Sequence, residues 1–258
     1  MKYLIKIAYD GTNYCGWQKN EGVESIQGKV EEALSKLLKK NTQIRGASRT
    51  DAGVHAKGQI AVFEAETSIP ADRFPYALNP LLPDDIRIVG GERVDDEFHP
   101  QKRVEKKTYE YLIYNSEFPD PRMRNFTSFE RKGERKKLDI KKMEKAAEKF
   151  IGTHDFKAFC ASGGNTKTTI RTIYDLTVCE NNNIISIRVT GSGFLYNMVR
   201  IIAGTLIAVG EGRIKSDELE EIIRSKQRER AGKTADACGL TLLEIYYRNE
   251  YLKEKENE

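Results

Sequence analysis

Hydrophobic and polar residues alternate at the start of the chain, where KYLIKIAY over residues 2–9 places its aromatic and aliphatic side chains on one face. This two-residue period predicts a β-strand. The spacing becomes helical in SIQGKVEEALSKLLKK, residues 25–40, with Ser25 as the predicted N-cap. Three further strand patterns follow, at 43–48, 58–65 and 86–94, and a short helical segment is predicted near 71–77. The first part of the chain therefore has the predicted order β-α-β-β-α-β.

The second part of the chain predicts a similar order of elements, without a repeat at the level of residues. A strand pattern over 107–115 precedes an amphipathic helix that Asp139 caps and Gly152 follows. Two alternating segments on either side of residues 181–183 predict a hairpin. Two helices, at about 194–209 and 216–227, and a last strand, LTLLEIYY, complete the pattern.

Two successive units of this kind predict an α/β fold of the α+β type, with two ferredoxin-like or RRM-like halves. We expect the halves, 1–103 and 104–258, to form an extended and mainly antiparallel sheet with helices on one face and a cleft between them. The segment 116–137 is rich in Pro and Arg and predicts a mobile connection. A sheet with one open face can serve as a platform for RNA, although a fold alone does not establish a function.

Positive charge is concentrated in two stretches of a chain whose formal net charge is only +4. Residues 101–142 hold 13 Lys or Arg and 7 Asp or Glu, a net of +6 (13 minus 7), and the second stretch is RSKQRERAGK, residues 224–233. Such runs are usually solvated faces, but two on one chain favour a polyanionic partner, most simply nucleic acid. The longest apolar stretch, 194–210, contains an arginine and is short for a bilayer, so we expect a buried helix and no membrane association.

Cysteine and histidine spacing argues against a protein-bound metal. The four cysteines are far apart with no C-x-x-C pair, and none of the three histidines has another at i, i+4. Free thiols in a chain of this size are typical of a reducing compartment, so we expect a cytoplasmic protein. A lone Gly-x-Gly in TGSGF, residues 190–194, has no Rossmann unit before it, so we expect no nucleotide cofactor.

The candidate chemistry lies in RTDAGVHAKGQ, residues 49–59, where Asp51 follows an arginine and a threonine and precedes Ala-Gly. On spacing alone, a surface turn with an ion pair is the more common meaning of such a stretch. A phosphotransferase interpretation of IAYDGT fails because Ala8 stands where the nucleophilic Asp of D-x-D-G-T is required. Arg200 is a cation within an apolar helix, where it either extends to the surface or has a buried partner.

The segments GASRTDAGVHA (46–56) and YDGTNYCGWQ (9–18) resemble the tRNA pseudouridine synthase A family. Later blocks resemble that family in the same order, among them ALNPLLPDDIRI, KKTYEYLIYN, FLYNMVRIIAGTLIAVG and ADACGLTLLEIYY. The resemblance covers nearly the whole chain. It implies isomerisation of uridine to pseudouridine at positions 38, 39 and 40 of the tRNA anticodon stem-loop, with the N1–C1′ bond replaced by C5–C1′.

The resemblance also implies roles for five residues. Asp51 matches the catalytic aspartate, the nucleophile; attack on C1′, addition to C6 and help in removing a C2′ proton all stay open. Arg200 matches the arginine paired with that acid, and Tyr109 an active-site tyrosine that stacks on the base and relays a proton. Leu240 matches an apolar position lining the pocket, and Arg49 an arginine that helps to extrude the target nucleotide. Ordinary core residues are the alternatives for Tyr109 and Leu240.

The same resemblance implies tRNA as the partner, a homodimer, and no cofactor, because uracil is both the leaving group and the returning nucleophile. The sequence departs from the family where Gln101 replaces a common arginine, a role that Lys102 or Arg103 could take. The remaining alternative is a non-catalytic, double-RRM-like RNA-binding protein. Against it, no RNP1 run occurs on any predicted strand, and a passive binder has no use for an Asp–Arg pair.

Overall fold

The computed structural model describes residues 1–131, 137–164 and 166–248, which contain ten strands and five α-helices. The strands are β1 Lys2–Tyr9, β2 Arg45–Gly46, β3 His55–Glu64, β4 Ile86–Val94, β5 Val104–Ser116, β6 Ser128–Arg131, β7 Gly152–Asp155, β8 Ile170–Asn181, β9 Ile184–Gly191 and β10 Leu240–Tyr247. The helices are α1 Ile26–Leu38, α2 Phe74–Leu78, α3 Ile140–Ala147, α4 Met198–Gly210 and α5 Leu219–Ser225. The fold is a mixed α/β fold with mostly antiparallel strands, so the predicted fold class is confirmed.

The chain divides into two compact units. The first contains residues 1–107 together with the chain from Leu242 onward, and the second contains residues 108–241. The expected halves, 1–103 and 104–258, do not include this return of the last strand to the first unit. The return has a physical basis in close packing: a Cβ at Gly58 of β3 would lie 2.3 Å from the carbonyl oxygen of Leu243, and the Tyr247 hydroxyl donates to the Pro100 carbonyl at 2.8 Å.

The first unit is built on the strand order β4-β1-β3-β10, with β2 paired to β3. β1 is antiparallel to both β3 and β4. Its predicted apolar face is buried throughout, at Tyr3, Ile5, Ile7 and Tyr9. Phe74 of α2 packs edge to face on the rings of Tyr3 and Phe63, with centroids 5.1 and 5.2 Å away. These contacts hold α2 against β1 and β3.

Helix α1 begins where the sequence predicts. The Ser25 hydroxyl accepts a hydrogen bond from the Gly28 N–H at 3.2 Å, so it satisfies one of the free donors of the first turn. The helix buries Ile26, Val30, Ala33 and Leu34, which follow the 3.6-residue period of its sequence. It ends at Leu38, and the C-cap residue Lys39 has a left-handed φ of 54°.

The second unit has the strand order β5-β9-β8-β7, with β6 parallel to β5. β8 and β9 form the predicted hairpin, in which Asn182 and Asn183 have φ of 50° and 63°, a conformation that Asn tolerates. Every residue of α4 except Arg200 is buried, so the prediction of a buried helix is confirmed. Asp139 caps α3, as predicted, by accepting from the Lys142 N–H at 3.1 Å.

Two short strands were not predicted. β6 and β7 have four residues each, which is too short for a two-residue period to be distinguished from a turn. β6 lies within 116–137, so the prediction of a mobile connection is wrong for Ser128–Arg131, which pair with β5. Residues 132–136 of that segment lie outside the described residues.

Candidate active site

Asp51 is half-buried in the loop that joins β2 to β3. On its N-terminal side, the Thr50 hydroxyl lies 2.8 Å from the Tyr9 hydroxyl, and the Thr50 carbonyl accepts from the Trp17 N–H at 3.0 Å. The Asp51 carbonyl accepts from the Val54 N–H at 3.2 Å and closes a turn. The backbone that carries the carboxylate is therefore fixed on both sides.

Two glycines of the segment 9–18 allow that segment to lie against the Asp51 turn. A Cβ at Gly16 would lie 2.5 Å from the Thr50 oxygen and 2.9 Å from the Asp51 carbonyl carbon, and Gly16 has a left-handed φ of +96°. A Cβ at Gly11 would lie 2.0 Å from the Val54 oxygen. Because backbone atoms leave no room for a side chain, glycine is required at both positions. The two motifs that are separated in sequence thus form one packed structure.

Three consecutive carbonyls just before the Asp51 turn are each bound by a side chain. Gln101 Nε2, Lys107 Nζ and Gln59 Nε2 donate in turn to the carbonyls of residues 46–48, at 3.0, 3.0 and 2.8 Å. A loop that only reverses the chain leaves such carbonyls to water. Here each one is positioned by the protein, so the path of the chain into Asp51 is specified by side chains from three other positions.

Lys107 is the charged member of this set. Its Nζ also donates to the Ser48 hydroxyl at 3.0 Å. Burial lowers the pKa of Lys107 from 10.5 to about 8, because the ammonium loses water and its two acceptors are neutral. The residue lies on the same face of β5 as Tyr109, two residues away, so the alternation of that strand was a signal for an inward-facing lysine.

Arg200 is half-buried on α4, and neutral acceptors fix its guanidinium. Nε donates to the Ala235 carbonyl at 2.7 Å and Nη1 to Asn197 Oδ1 at 2.9 Å. Asn197 itself precedes the helix with a left-handed φ of 58°. These contacts exclude a side chain that simply extends to solvent. Asn197 was not singled out from the sequence, and its position before an apolar helix was the signal available.

Tyr109 and Leu240 are both buried, each 6% exposed. The Tyr109 ring packs edge to face on Phe194, with the centroids 5.2 Å apart and an angle of 84°. Tyr111, two residues further along β5, is a core tyrosine whose hydroxyl donates to the Asp236 carbonyl at 2.9 Å. Leu240 is the first residue of β10.

The predicted site residues are divided between the two units. Arg49 and Asp51 share one loop of the first unit, where Arg49 is exposed. Tyr109, Arg200 and Leu240 belong to the second unit, on β5, α4 and β10 respectively.

Within the described ranges, no helix is long and apolar enough to cross a membrane. The same residues contain no group of three or more His, Cys, Asp or Glu side chains that could hold a metal ion.

The chain is similar to known proteins over most of its length. The model of a family described as tRNA pseudouridine synthase matches residues 5–101 and 146–248. The chain belongs to the tRNA pseudouridine synthase family. The matched ranges contain Arg49, Asp51, Arg200 and Leu240, whereas Tyr109 lies between them.

Individual members of the tRNA pseudouridine synthase family are similar over almost their full length. The tRNA pseudouridine synthase A of Acetivibrio thermocellus is 49% identical over 241 residues, which covers 93% of this chain and 97% of that protein. The tRNA pseudouridine synthase A of Bacillus subtilis is 44% identical over 254 residues, covering 96% and 100%. A solved structure titled as a Cbf5-Nop10-Gar1 complex aligns with a TM-score of 0.39 at 11% identity, covering 97% of this chain and 60% of that chain.

Proposed function

We propose that this chain isomerises uridine to pseudouridine in tRNA, at positions 38, 39 and 40 of the anticodon stem-loop, with Asp51 as the catalytic nucleophile. Relatives that share nearly half of its residues are named tRNA pseudouridine synthase A. The observation that carries the assignment to Asp51 is the fixed backbone around it: the three carbonyls of residues 46–48 and the Thr50 carbonyl all have donors. Such positioning serves catalysis, since a displacement of about 1 Å can cost on the order of 10² in rate.

The proposed reaction is balanced without a cosubstrate. The N1–C1′ bond breaks, the uracil turns within the site, and C5 forms the new bond to C1′; the proton lost from C5 is matched by the one gained at N1. Asp51 either attacks C1′, adds to C6 or assists removal of the C2′ proton. All three routes need an ionised carboxylate at a fixed place.

The other site residues have supporting roles in this proposal. Arg200 is the counter-ion that keeps the Asp51 carboxylate ionised, and its guanidinium is already oriented by Asn197. Tyr109 stacks on the target base and relays a proton, and Leu240 lines the base pocket. Arg49, exposed beside Asp51, helps to hold the nucleotide out of its stack.

The proposal extends to a homodimer that binds tRNA in the cytoplasm.

The Lys and Arg side chains that could bind the RNA differ in whether the protein already pairs them. All five Lys and Arg of the basic stretch 224–233 have a hydrogen bond or ion pair within the second unit: Arg224 with Glu220, Lys226 with Asp155, Arg228 with the Gly232 carbonyl, Arg230 with Glu221 and Lys233 with Glu130. That stretch therefore contributes to the structure of the second unit, and its charge is partly neutralised before any RNA binds.

The test uses a tRNA transcript with uridines at the three positions, in the presence of EDTA, and maps pseudouridine by carbodiimide modification and primer extension. The parent should form pseudouridine. Asp51→Ala should form no pseudouridine, because no neighbouring group replaces the carboxylate. Its affinity for tRNA should stay within a few-fold of the parent's, because contacts with the phosphate backbone of the RNA dominate binding. Asp72→Ala, an exposed aspartate of the same unit, is the control and should behave as the parent.

Two results would contradict the proposal. Modification by Asp51→Ala at a tenth of the parent rate would make Asp51 a turn residue only. Tight tRNA binding by the parent without any pseudouridine would favour the non-catalytic RNA-binding protein.

A further inference from the structure

A cavity of 450 Å³ opens in the first unit beside the Asp51 loop. Its charged and polar lining includes Arg45, Arg49, His99, Gln18 and Gln101, and none of the described residues that line it has a carboxylate. We refer to it as the Arg45 cavity. Arg49 and Asp51 are two residues apart, so their Cα atoms are at most about 7 Å from each other. Whatever occupies the Arg45 cavity is therefore next to the loop that carries the proposed nucleophile.

The two arginines of this cavity have unused charge. Both are exposed, and in the described part of the chain neither side chain makes an ion pair or a hydrogen bond. This contrasts with the stretch 224–233, where every cation has a partner. Two guanidiniums that face one recess without an acid repel each other, and an anion that binds both removes that repulsion.

His99 reports the potential in the Arg45 cavity. Its Nδ1 accepts a hydrogen bond from the Gln101 N–H at 3.2 Å, so the neutral ring carries its proton on Nε2, which is a donor. The pKa of His99 lies below 6.5 because its ring is desolvated and because Arg45, Lys102 and Lys2 are close enough to disfavour a further positive charge. The lining thus offers donors and positive charge together.

We propose that the Arg45 cavity binds a phosphodiester group of the substrate RNA, next to the nucleotide on which Asp51 acts. This inference rests on the proposed function. Guanidiniums pair with phosphate oxygens through two parallel N–H donors each, which suits a tetrahedral anion held between Arg45 and Arg49. Gln101 holds the Gly46 carbonyl, so the residue that follows Arg45 is fixed by a group of the same cavity. A phosphate bound there would set the register of the RNA strand relative to Asp51.

The first test compares Arg45→Gln with Arg93→Gln. Arg93 is an exposed arginine on β4 of the same unit, outside the cavity, and in the described ranges its side chain makes no ion pair or hydrogen bond. Affinity for unmodified tRNA is measured across a salt series. Arg45→Gln should raise Kd by about 5- to 10-fold and reduce the slope of log K against log salt by about 0.7–0.9, the loss of one phosphate contact. Arg93→Gln should change neither quantity.

The second test observes His99 directly. The chain has three histidines, so a ¹H–¹³C spectrum of the imidazoles is simple, and His99→Gln assigns the signal. Titration with and without a saturating anticodon stem-loop RNA should show the pKa of His99 rising when RNA is bound, because a phosphate compensates Arg45 and Lys102.

Three outcomes would overturn the phosphate site: equal losses of affinity in Arg45→Gln and Arg93→Gln, no loss in either, or a His99 pKa that does not respond to saturating RNA. Pseudouridine formation by the parent on the same RNA is scored separately. An active parent with an unresponsive cavity rejects this site alone, whereas an inactive parent rejects the proposed function.

Discussion

At the scale of single residues, Lys107 places a charged donor against two neutral acceptors that a neutral donor could also bind. The ammonium binds the Ala47 carbonyl and the Ser48 hydroxyl, four and three residues before Asp51, at the expense of its hydration. The lysine is therefore a positioning residue for the Asp51 loop, and its titration is linked to the stability of the first unit.

The linkage has a defined sign. The pKa of Lys107 is about 8 in the folded protein and 10.5 in the unfolded chain, so between these pH values the unfolded chain binds more protons. The contribution of Lys107 to the unfolding free energy is fully present above pH 10.5 and is lost as the pH falls through 8. In urea unfolding, the parent should gain up to about 3 kcal/mol relative to Lys107→Met between pH 8 and pH 10.5.

Lys106→Met is the matched control for that measurement. Lys106 is the neighbouring lysine of the chain, and its ammonium lies over the ring of Tyr246, 4.8 Å from the ring centroid, and not against the Asp51 loop. Subtracting each variant from the parent removes the titration of all other groups. A difference between the parent and Lys107→Met that stays constant with pH would reject the linkage.

Some residues of the site could be found from the sequence and others could not. Asp51, Arg200 and Tyr109 stand in recognisable motifs, and the interrupted apolar pattern of α4 already singles out Arg200. The donors to residues 46–48 come from positions 59, 101 and 107; the alternation of β5 indicates that Lys107 faces inward, but only tertiary contacts bring the three donors together. His99 stands in DDEFHP, residues 95–100, but Arg45 carries no motif and lies 54 residues away (99 minus 45), so a single sequence does not indicate that the two line one cavity.

At the scale of elements, the contact between the segment 9–18 and the Asp51 turn depends on glycine. Gly16→Ala introduces a Cβ 2.5 Å from the Thr50 oxygen, in addition to an unfavourable φ. Because the obstructing atoms are backbone, the turn must move, and we expect turnover to fall by about 10²-fold or more through displacement of Asp51.

Gly22→Ala is a close control for Gly16→Ala. Gly22 has a left-handed φ of +75°, but a Cβ there would meet nothing within 4 Å. Both variants therefore carry the backbone strain of about 1–3 kcal/mol, and only Gly16→Ala carries the clash. Thermal unfolding and turnover are measured on both, and equal turnover would show that the contact does not position Asp51.

Elements were predictable in proportion to their length. The sequence predicts the longer elements within a few residues. These elements have eight or more residues each, and they are β1, β4, α1 and the two strands of the β8–β9 hairpin. β6 and β7 owe their existence to pairing with β5 and β8 rather than to a local pattern. The placement of β10 from Leu242 with the first unit depends on pairing between distant strands, which periodicity does not encode.

At the scale of the whole molecule, exposed aromatic side chains bear on assembly. Phe118, Phe126 and Phe129 are 67%, 45% and 37% exposed within a short stretch of the second unit. Aromatic residues left at a surface in this way are typical of protein contacts. If the homodimer forms, light scattering at micromolar concentration should give about twice the chain mass of 29.4 kDa.

A substitution tests whether the exposed aromatic residues of the second unit form the dimer interface. Phe118→Ser should shift the measured mass toward that of one chain, whereas Tyr76→Ser, at a more exposed aromatic of the first unit, should not. A parent that has the mass of a single chain would reject the dimer.

The return of β10 to the first unit has a consequence for biosynthesis. The 134 residues from 108 to 241 (241 minus 108 plus 1) are translated between the other strands of the first unit and the bulk of β10. At about 5–20 residues per second, a ribosome needs roughly 7–27 s for them. During that interval the nascent first unit has an open edge along β3 where β10 will pair, and an open edge is a template for the wrong strand. The second unit, although encoded later, is thus able to complete its own sheet on the ribosome before the first unit does. Chaperones that bind nascent chains would have the longest time to bind at the unpaired edge of β3.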